Sequence, residues 1–395
     1  MEYSNALHNL TGPRERIIRG ANGWWFLGPG GMARLGANHL TDLGQLRESA
    51  RRHLAAKGLL TAPDYRTYSL TVMTSTDCNL GCAYCFQNTA QDPTGGSRPP
   101  RIAHSRLTSE TIGRILDFTG ARMAEAGMER LRVMLFGGEP LLNPRGCREL
   151  LTRAKDVGMR KAFMTSNGTL LTPPLAKQLA DLGLCNIQVT FDGDRETHDS
   201  IRVTRSGGAT FDTIIENMAR VSAVAPLTWM LRINISHHNV ESIGAMIDQL
   251  AERLDAKRNT LDLNLVGDAG VGYDNALRFD EDLADRFHLL QRRALDAGFG
   301  LIRPRAHTPC QACSYRDGKY GAVVGADGHL AACWESAGKP EWRVGEAGKG
   351  YDPDSCERWT SCEADWYEDD RERLNAFRDA VDARLLDYLS ATGRL

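Results

Sequence analysis

The segment Thr76-Asp77-Cys78-Asn79-Leu80-Gly81-Cys82-Ala83-Tyr84-Cys85-Phe86-Gln87 carries the most distinctive pattern in the sequence. Its three cysteines have the spacing Cys-x3-Cys-x2-Cys and follow the strand-like run 68–73. Thiolates are soft ligands that favour zinc or an iron–sulfur cluster. Structural zinc sites usually take four protein ligands, often as Cys-x2-Cys pairs. Three cysteines without a local fourth therefore favour a cubane cluster that leaves one iron open to a small molecule.

Composition and charge exclude several classes of protein. A chain of 395 residues is long enough for a large α/β domain with smaller additions. The net charge of −2 gives no electrostatic footprint for nucleic acid or an anionic membrane. The sequence has no apolar signal core and no run that approaches a membrane span. Ten cysteines without a signal sequence predict a reducing cytoplasm, where clustered cysteines bind metal more often than they form disulfides.

Residues 67–300 alternate between strand and helix patterns. Alternating elements predict a parallel sheet with helices packed outside it. Six units are too few to close an eight-stranded barrel, so the predicted fold is α/β, a partial (β/α)6 TIM-like barrel. The predicted strands are 68–76, 131–136, 161–165, 186–191, 229–236 and 261–266, and the predicted helices are 109–126, 144–157, 172–182, 212–224, 239–254 and 280–297.

Four polar or glycine-rich segments follow predicted strands directly. They are the cysteine loop, Gly137-Gly138-Glu139-Pro140, Ser166-Asn167-Gly168 and Asp192-Gly193. In barrels of this kind the reactive groups lie at the carboxyl ends of the strands. We therefore expect these segments to meet in one shared site.

Two smaller regions flank the predicted barrel. Residues 1–66 form an N-terminal module with a strand at Trp24–Leu27 and a helix from Thr41 to about Lys57, with Leu43, Leu46, Ala50 and Leu54 on one face. This module is interpreted either as a cover for the barrel or as a grip on a peptide. Residues 301–395 contain five further cysteines, a predicted β-hairpin at 321–332 and an amphipathic helix at 368–389.

The cysteine spacing, together with Tyr84 before the last cysteine, resembles the signature of radical S-adenosylmethionine (SAM) enzymes. The Gly-Gly-Glu-Pro motif matches that superfamily, and 190–193 with His198, Asp199 and Arg202 looks like its peptide-modifying subset. The resemblance covers roughly residues 67–365. It implies that Cys78, Cys82 and Cys85 hold a [4Fe–4S] cluster whose fourth iron is chelated by SAM. It also implies one-electron cleavage of SAM to methionine and a 5′-deoxyadenosyl radical that abstracts a substrate hydrogen.

The resemblance also assigns cofactor-binding roles, each with a simpler structural alternative. Tyr84 would contact SAM near the adenine or merely pack against the loop, and Arg202 would hold the methionyl carboxylate or lie on the surface. Gly138 would admit the amino group or only form a turn, and Asp192 would line the site or only cap a turn. The complete set of implied cofactor-binding residues is Tyr84, Gly138, Glu139, Ser166, Thr190, Asp192 and Arg202.

The tail cysteines resemble the auxiliary-cluster region called SPASM, or its shortened form, twitch. Cys313-x14-Gly328-x4-Cys333 agrees with the opening of that region. Five cysteines are too few for two fully ligated clusters, so we expect one auxiliary [4Fe–4S] cluster; a zinc site is the alternative. Its expected ligands are Cys310, Cys313 and Cys333, with Cys356 or Cys362 as the fourth.

The implied function is radical modification of a ribosomally synthesised precursor peptide, by cross-linking, epimerisation or another C–H functionalisation. Flavodoxin or ferredoxin would supply electrons. Sulfatase-maturating members have an aspartate base after the cysteine matching Cys333, whereas here Trp334 and Glu335 follow, so no catalytic acid or base is assigned. The alternatives are a radical SAM dehydrogenase of a small alcohol or sugar, and a non-catalytic iron–sulfur carrier or zinc module. The strand-end motifs argue against the iron–sulfur carrier and the zinc module, because neither of these needs a cofactor pocket.

Overall fold

The computed structural model describes residues 15–61, 66–82, 84–87, 102–267, 275–306, 313–359 and 371–395. The chain begins with a three-stranded antiparallel sheet and a helix. The predicted strand at Trp24 is confirmed as the middle strand of this sheet. The elements are β1 (Arg16–Gly20), β2 (Gly23–Gly28), β3 (Gly31–Leu35) and α1 (Glu48–Ala56).

The predicted start of the first helix at Thr41 is wrong. The Thr41 hydroxyl accepts a hydrogen bond from the Gln45 backbone N–H, and Gly44 has a φ of +75°, so this segment is a closed turn. Leu43, which was placed on one helix face with Ala50 and Leu54, lies on that turn and is 85% exposed, whereas Ala50 and Leu54 are buried on α1. Local side-chain-to-backbone bonding has competed successfully with helix formation.

The predicted barrel strands are confirmed, and each pairs in parallel with the next. They are β4 (Thr67–Ser75), β5 (Arg130–Gly137), β6 (Met159–Thr165), β7 (Leu184–Phe191), β8 (Thr228–Ile235) and β9 (Asn259–Leu265). The intervening helices are α2 (Ser109–Glu125), α3 (Pro144–Ala154), α4 (Pro173–Asp181), α5 (Arg195–Ile201), α6 (Phe211–Ser222), α7 (Ile243–Arg253) and α8 (Glu281–Asp296).

The strand sequences explain which face carries the helices. On β5, Leu131, Val133 and Leu135 are fully buried. Arg130 and Arg132, at the alternate positions, are exposed. This period of two places the aliphatic residues against the helix layer and the alternate residues in the barrel lumen. Among the described residues the sheet runs as an open series from β9 to β4, as expected for a partial barrel.

The C-terminal region continues the barrel sheet. After β10 (Gly300–Leu301), β11 (Gly321–Val324) pairs in parallel with β4, and the predicted hairpin of β11 with β12 (His329–Ala331) is confirmed. The antiparallel strands β13 (Arg343–Glu346) and β14 (Gly350–Tyr351) extend the same sheet. The expected domain boundary near residue 301 therefore does not interrupt the sheet.

The last helix, α9 (Arg371–Ala391), joins the two ends of the chain. Ala383 and Leu386 pack in one apolar cluster with Ile18, Trp25 and Leu27 of the N-terminal sheet. The described helices include none that is both long and apolar enough to cross a membrane.

Candidate active site at the carboxyl ends of the strands

The cysteine loop follows β4 and is anchored by the chain that follows α5. The Gly81 N–H donates to the Val203 carbonyl at 2.9 Å, and the Arg205 N–H donates to the Asn79 carbonyl at 3.0 Å. Leu80 also forms an isolated antiparallel bridge with Thr204. A loop without secondary structure of its own is thus fixed at several backbone positions.

The three thiols lie close enough to influence one another. Burial, followed by the charge of Glu139 and then those of Cys82 and Cys85, raises the pKa of the Cys78 thiol to about 12. Burial likewise raises the pKa of Cys82 to about 11, with Arg202 opposing the shift. The Cys78 sulfur accepts hydrogen bonds from the Leu80 N–H at 3.4 Å and the Asn167 amide at 3.6 Å.

The donor set fits an iron–sulfur cluster chemically, because three interacting thiols at one loop are soft ligands. Within the ranges that the structure covers, no three His, Cys, Asp or Glu side chains already have the arrangement of a metal site. The predicted ligand roles of Cys78, Cys82 and Cys85 stay predictions.

The Gly-Gly-Glu-Pro segment crosses directly over the start of the cysteine loop. A Cβ at Gly138 would lie 2.3 Å from the Asp77 carbonyl oxygen, so any side chain would force the two segments apart. The Glu139 N–H donates to the same oxygen at 2.6 Å, and Gly137 has a φ of +134°. Glycine is required here both for backbone conformation and for close approach.

Glu139 is a buried organising carboxylate. It is fully buried and accepts hydrogen bonds from the Leu141 N–H (2.9 Å), the Asn167 N–H (2.7 Å) and the Ser166 hydroxyl (3.0 Å). Burial raises its pKa, whereas these hydrogen bonds lower it. The carboxylate therefore ties the ends of β5 and β6 together, as expected of a residue that fixes this loop.

A second buried network joins Tyr84 to the ends of β7 and β8. The Tyr84 hydroxyl donates to Asp192 Oδ2 at 2.5 Å and accepts from Arg202 Nη1 at 2.8 Å and Asn234 Nδ2 at 3.1 Å. Burial raises the pKa of Asp192, and Arg202 opposes that shift. Arg202 is only 8% exposed, so the surface alternative for it is wrong.

This network retains unused hydrogen-bonding capacity. Asp192 Oδ1 and Arg202 Nε are both buried without a hydrogen-bond partner among the described residues. An unsatisfied buried polar atom is costly, and a charged one especially so. A ligand that brings a donor and an acceptor to this corner would satisfy both atoms.

A cavity of about 220 Å³ opens beside these networks. Four of the residues implied as cofactor ligands line it: Tyr84, Gly138, Thr190 and Arg202. Glu139, Ser166 and Asp192 are not among the lining residues; each is buried behind the wall that they support. The cofactor-binding roles expected of Ser166 and Asp192 stay predictions, and both side chains lie behind the cavity wall.

Sequence reasoning missed several cavity residues. Gln188, Arg232 and Asn234 line the cavity from β7 and β8, at alternate positions that face the barrel lumen. Their period of two was a usable signal once the strands were known. The opposite wall includes Phe86, Phe136 and Trp334, whose rings pack with centroids 5.7–6.4 Å apart.

The structure places three of the five tail cysteines. Burial raises the pKa of Tyr315, and Cys313 and Cys333 add to the shift, so both thiols lie near this tyrosine, whose hydroxyl hydrogen-bonds with that of Thr71 at 2.9 Å. Cys356 is exposed on a short 3-10 helix. Cys310 and Cys362 lie outside the described residues, and the auxiliary cluster stays a prediction.

Comparison with known proteins adds to this geometry. Residues 72–250 match the sequence profile of the Radical SAM superfamily. The chain contains a radical SAM domain. Enzymes of this superfamily use a [4Fe–4S] cluster and SAM.

This chain aligns with only part of each similar curated protein. Fe-coproporphyrin III synthase from Methanosarcina barkeri is 31% identical over 44% of this chain and 39% of that protein. Mycofactocin maturase MftC from Mycobacterium tuberculosis is 27% identical over 54% of this chain and 48% of that protein. The matched part of this chain thus spans less than half the length of either relative.

Solved structures agree with the predicted fold. The structure of anSMEcpe with bound AdoMet gives a TM-score of 0.60 at 16% identity, covering 82% of this chain and 99% of that chain. The same protein with AdoMet and the Cp18Cys peptide gives 0.59 at 15% identity, covering 83% and 99%. At such low identity the likeness concerns the fold alone, and it confirms the α/β architecture around the radical SAM domain.

Proposed function

We propose that this chain is a radical SAM enzyme that modifies a peptide. The observation that carries the proposal is the strand-end cavity, which the cysteine loop borders through Cys85 and which Arg202 and Tyr84 line. When bound, the cluster and SAM supply a 5′-deoxyadenosyl radical able to abstract hydrogen from an unactivated carbon. Cys78, Cys82 and Cys85 would hold the cluster, and the protein supplies placement and exclusion of water.

The cavity residues would orient SAM through their unused polar groups. Arg202 has a planar guanidinium that suits a carboxylate, and its Nε has no partner among the described residues. Gly138 leaves the backbone accessible, and Thr190 offers a hydroxyl on the same wall. Glu139, Ser166 and Asp192 would act as positioning residues because they hold Tyr84, Arg202 and the Gly138 loop in place.

A peptide substrate is supported by the relatives' descriptions. MftC is described as a maturase, and one anSMEcpe structure contains a peptide. The motif at 190–202 resembles that of the peptide-modifying subset of the superfamily. We further propose that residues 1–66 contribute to holding the leader of a precursor peptide; unchanged peptide affinity after deletion of residues 1–60 would contradict this.

A second candidate is a radical SAM reaction on a small molecule. The relative described as Fe-coproporphyrin III synthase favours it, and a dehydrogenase of an alcohol or sugar belongs to the same class. The cavity's lining of three aromatic rings accommodates an apolar group from either type of substrate. The two candidate functions can be separated by measuring whether hydrogen is abstracted from a candidate precursor peptide or from a small molecule.

The remaining proposals concern electron supply and the tail. One auxiliary [4Fe–4S] cluster would be held by Cys310, Cys313 and Cys333 with Cys356 or Cys362, and flavodoxin or ferredoxin in the cytoplasm would act as reductant. Iron analysis of anaerobically reconstituted protein tests the cluster number. About eight irons per chain are expected for two cubane clusters, and about four would exclude the auxiliary cluster.

The enzyme proposal is tested by anaerobic incubation with SAM and dithionite. We expect wild-type protein to form 5′-deoxyadenosine and the C78A/C82A/C85A variant to form none, because that variant lacks the loop thiols. The matched control is C185A, which removes a half-buried thiol at the start of β7, far along the strand from the loop. Absence of 5′-deoxyadenosine from wild-type protein would contradict the proposal.

A further inference from the structure

We propose that the outer edge of β9 binds an extended, acidic peptide segment as an added strand and leads it to the strand-end cavity. This inference rests on the proposed function, and it names where the peptide substrate would dock. Apart from Arg16 of β1, the residues that line this groove lie outside the three-stranded N-terminal sheet, so the two locations can be tested against each other.

The outer edge of β9 is mostly unpaired. Its inner edge pairs with β8 along the whole strand, from Trp229 opposite Asn259 to Ile235 opposite Leu265. On the outer side, β10 pairs only with Thr260 and Leu261. In the described part of the chain, the outer edge of 262–265 has no strand partner. Such an edge presents backbone N–H and C=O groups that can pair with an extended chain.

The helix layer also leaves this edge incompletely covered. Leu263 and Leu265 are only half-buried, whereas their register partners Ile233 and Ile235 on β8 are fully buried. A cavity of about 410 Å³ lies against this edge, between β9, α8, α9 and the segment 301–306. An added strand would remove apolar surface of both leucines from water.

The charges of this cavity favour an acidic occupant. Each carboxylate that lines the cavity forms an ion pair with an arginine: Asp262 with Arg232 at 3.6 Å, and Asp382 with Arg16 at 2.8 Å. Arg303 and Arg305 line the same cavity; Arg303 donates to the Arg394 carbonyl, and neither guanidinium pairs with a carboxylate of the described residues. Two uncompensated guanidinium groups beside an open strand edge complement a peptide that carries Asp or Glu.

The groove and the strand-end cavity are continuous in the fold. Leu265, the last residue of β9, lines both cavities. A segment paired with β9 would therefore reach the cavity beside Tyr84 and Cys85 within a few residues of leaving the strand. This continuity favours the polypeptide substrate as the occupant over an unrelated partner protein.

The docking test uses fluorescence anisotropy with a labelled synthetic peptide of alternating valine and glutamate. Two matched peptides serve as controls: one replaces glutamate with lysine, and the other is N-methylated on alternate residues so that it cannot donate to a strand edge. We expect wild-type protein to bind the acidic peptide about tenfold more tightly than either control. Equal affinity for the acidic and N-methylated peptides would overturn the proposal, as would no saturation up to about 1 mM.

Protein variants locate the binding site. The R303E/R305E variant should bind the acidic peptide about tenfold more weakly. R220E, which reverses an exposed arginine on α6, is the matched control and should bind like wild type. Hydrogen exchange should show new protection at amides 263–265 when the peptide binds. Protection at β3 instead, or unchanged binding by R303E/R305E, would overturn the assignment.

The two proposals fail separately. Formation of 5′-deoxyadenosine by wild-type protein without peptide tests the radical chemistry alone. Its absence would remove the proposed function, while binding of the acidic peptide at 263–265 would still be measurable.

Discussion

His198 shows how a sequence motif acquires a specific physical role. It is fully buried between the rings of Phe191 and Phe211. Its Nδ1 accepts from the Asp192 N–H at 3.3 Å, which leaves Nε2 to donate to the Thr210 hydroxyl at 3.1 Å. Burial, reinforced by Arg202, lowers the pKa of His198 well below 6.5. The imidazole is therefore a neutral support for the loop that carries Asp192.

A pH-dependent stability follows from this burial. Below pH 6.5 the unfolded chain gains a proton at His198 that the folded chain does not, so folding stability falls as the pH decreases toward the folded-state pKa. One such proton contributes a slope of about 1.4 kcal/mol per pH unit. Urea unfolding between pH 5 and 7 measures it, and H198Q should remove this part of the slope.

The control for this prediction is H53Q, which changes an exposed histidine on α1. It should unfold with the same pH dependence as wild type. Identical slopes for H198Q and wild type would show that His198 is not held neutral by the fold.

At the level of single residues, the sequence indicated where the site lies, but not which of its residues line the cavity and which support its wall. Tyr84, Gly138 and Arg202 were assigned to cofactor binding by the family resemblance, and all three line the cavity. Asp192 and Ser166 were also assigned to cofactor binding, and their side chains instead hydrogen-bond with Tyr84 and Glu139. Arg232 and Asn234 were missed, because a lumen-facing role depends on how strands curve together rather than on local pattern.

At the level of elements, the parallel strands were predictable and the N-terminal helix start was not. Strand runs rich in β-branched and apolar residues between helical patterns left few alternatives. The turn at Thr41 instead depends on one hydroxyl and one glycine. The docking of α9 on the N-terminal sheet was also missed, since it joins segments more than 350 residues apart.

Asp387 should control that docking. Its two oxygens accept from the Ala21 N–H at 2.6 Å and the Trp25 indole N–H at 2.8 Å. D387A leaves both donors without this partner, so we expect a loss of about 1–2 kcal/mol in unfolding free energy. Hydrogen exchange in β1 and β2 should increase. D117A, at an exposed position on α2, should change neither quantity; equal exchange in the two variants would contradict this role.

At the level of the whole molecule, one sheet links the barrel to the C-terminal region. β11 extends β4 in parallel, and the strands that follow continue the sheet through β14. The residue pattern identified the hairpin, but it did not reveal that β11 adds to the barrel edge. Parallel pairing between distant segments leaves no local signature, because its hydrogen bonds involve only backbone groups.

Removal of the chain after Ala306 should therefore damage the barrel as well. The truncated protein would expose the edge of β4 and lose α9, so we expect self-association and a lower urea midpoint. Size-exclusion chromatography and circular dichroism measure these effects. Deletion of 392–395 is the control and should leave both unchanged. A monomeric truncated protein with the wild-type midpoint would show that the regions fold independently.

The central claim is that the strand-end cavity brings SAM to a cluster held by Cys78, Cys82 and Cys85. Its most direct test is the electron paramagnetic resonance spectrum of the reconstituted, dithionite-reduced C313A/C333A variant, which lacks two expected auxiliary ligands. We predict that adding SAM changes this spectrum, and that the change is lost when C82A is added to the same variant. A spectrum that SAM leaves unaltered would contradict the account.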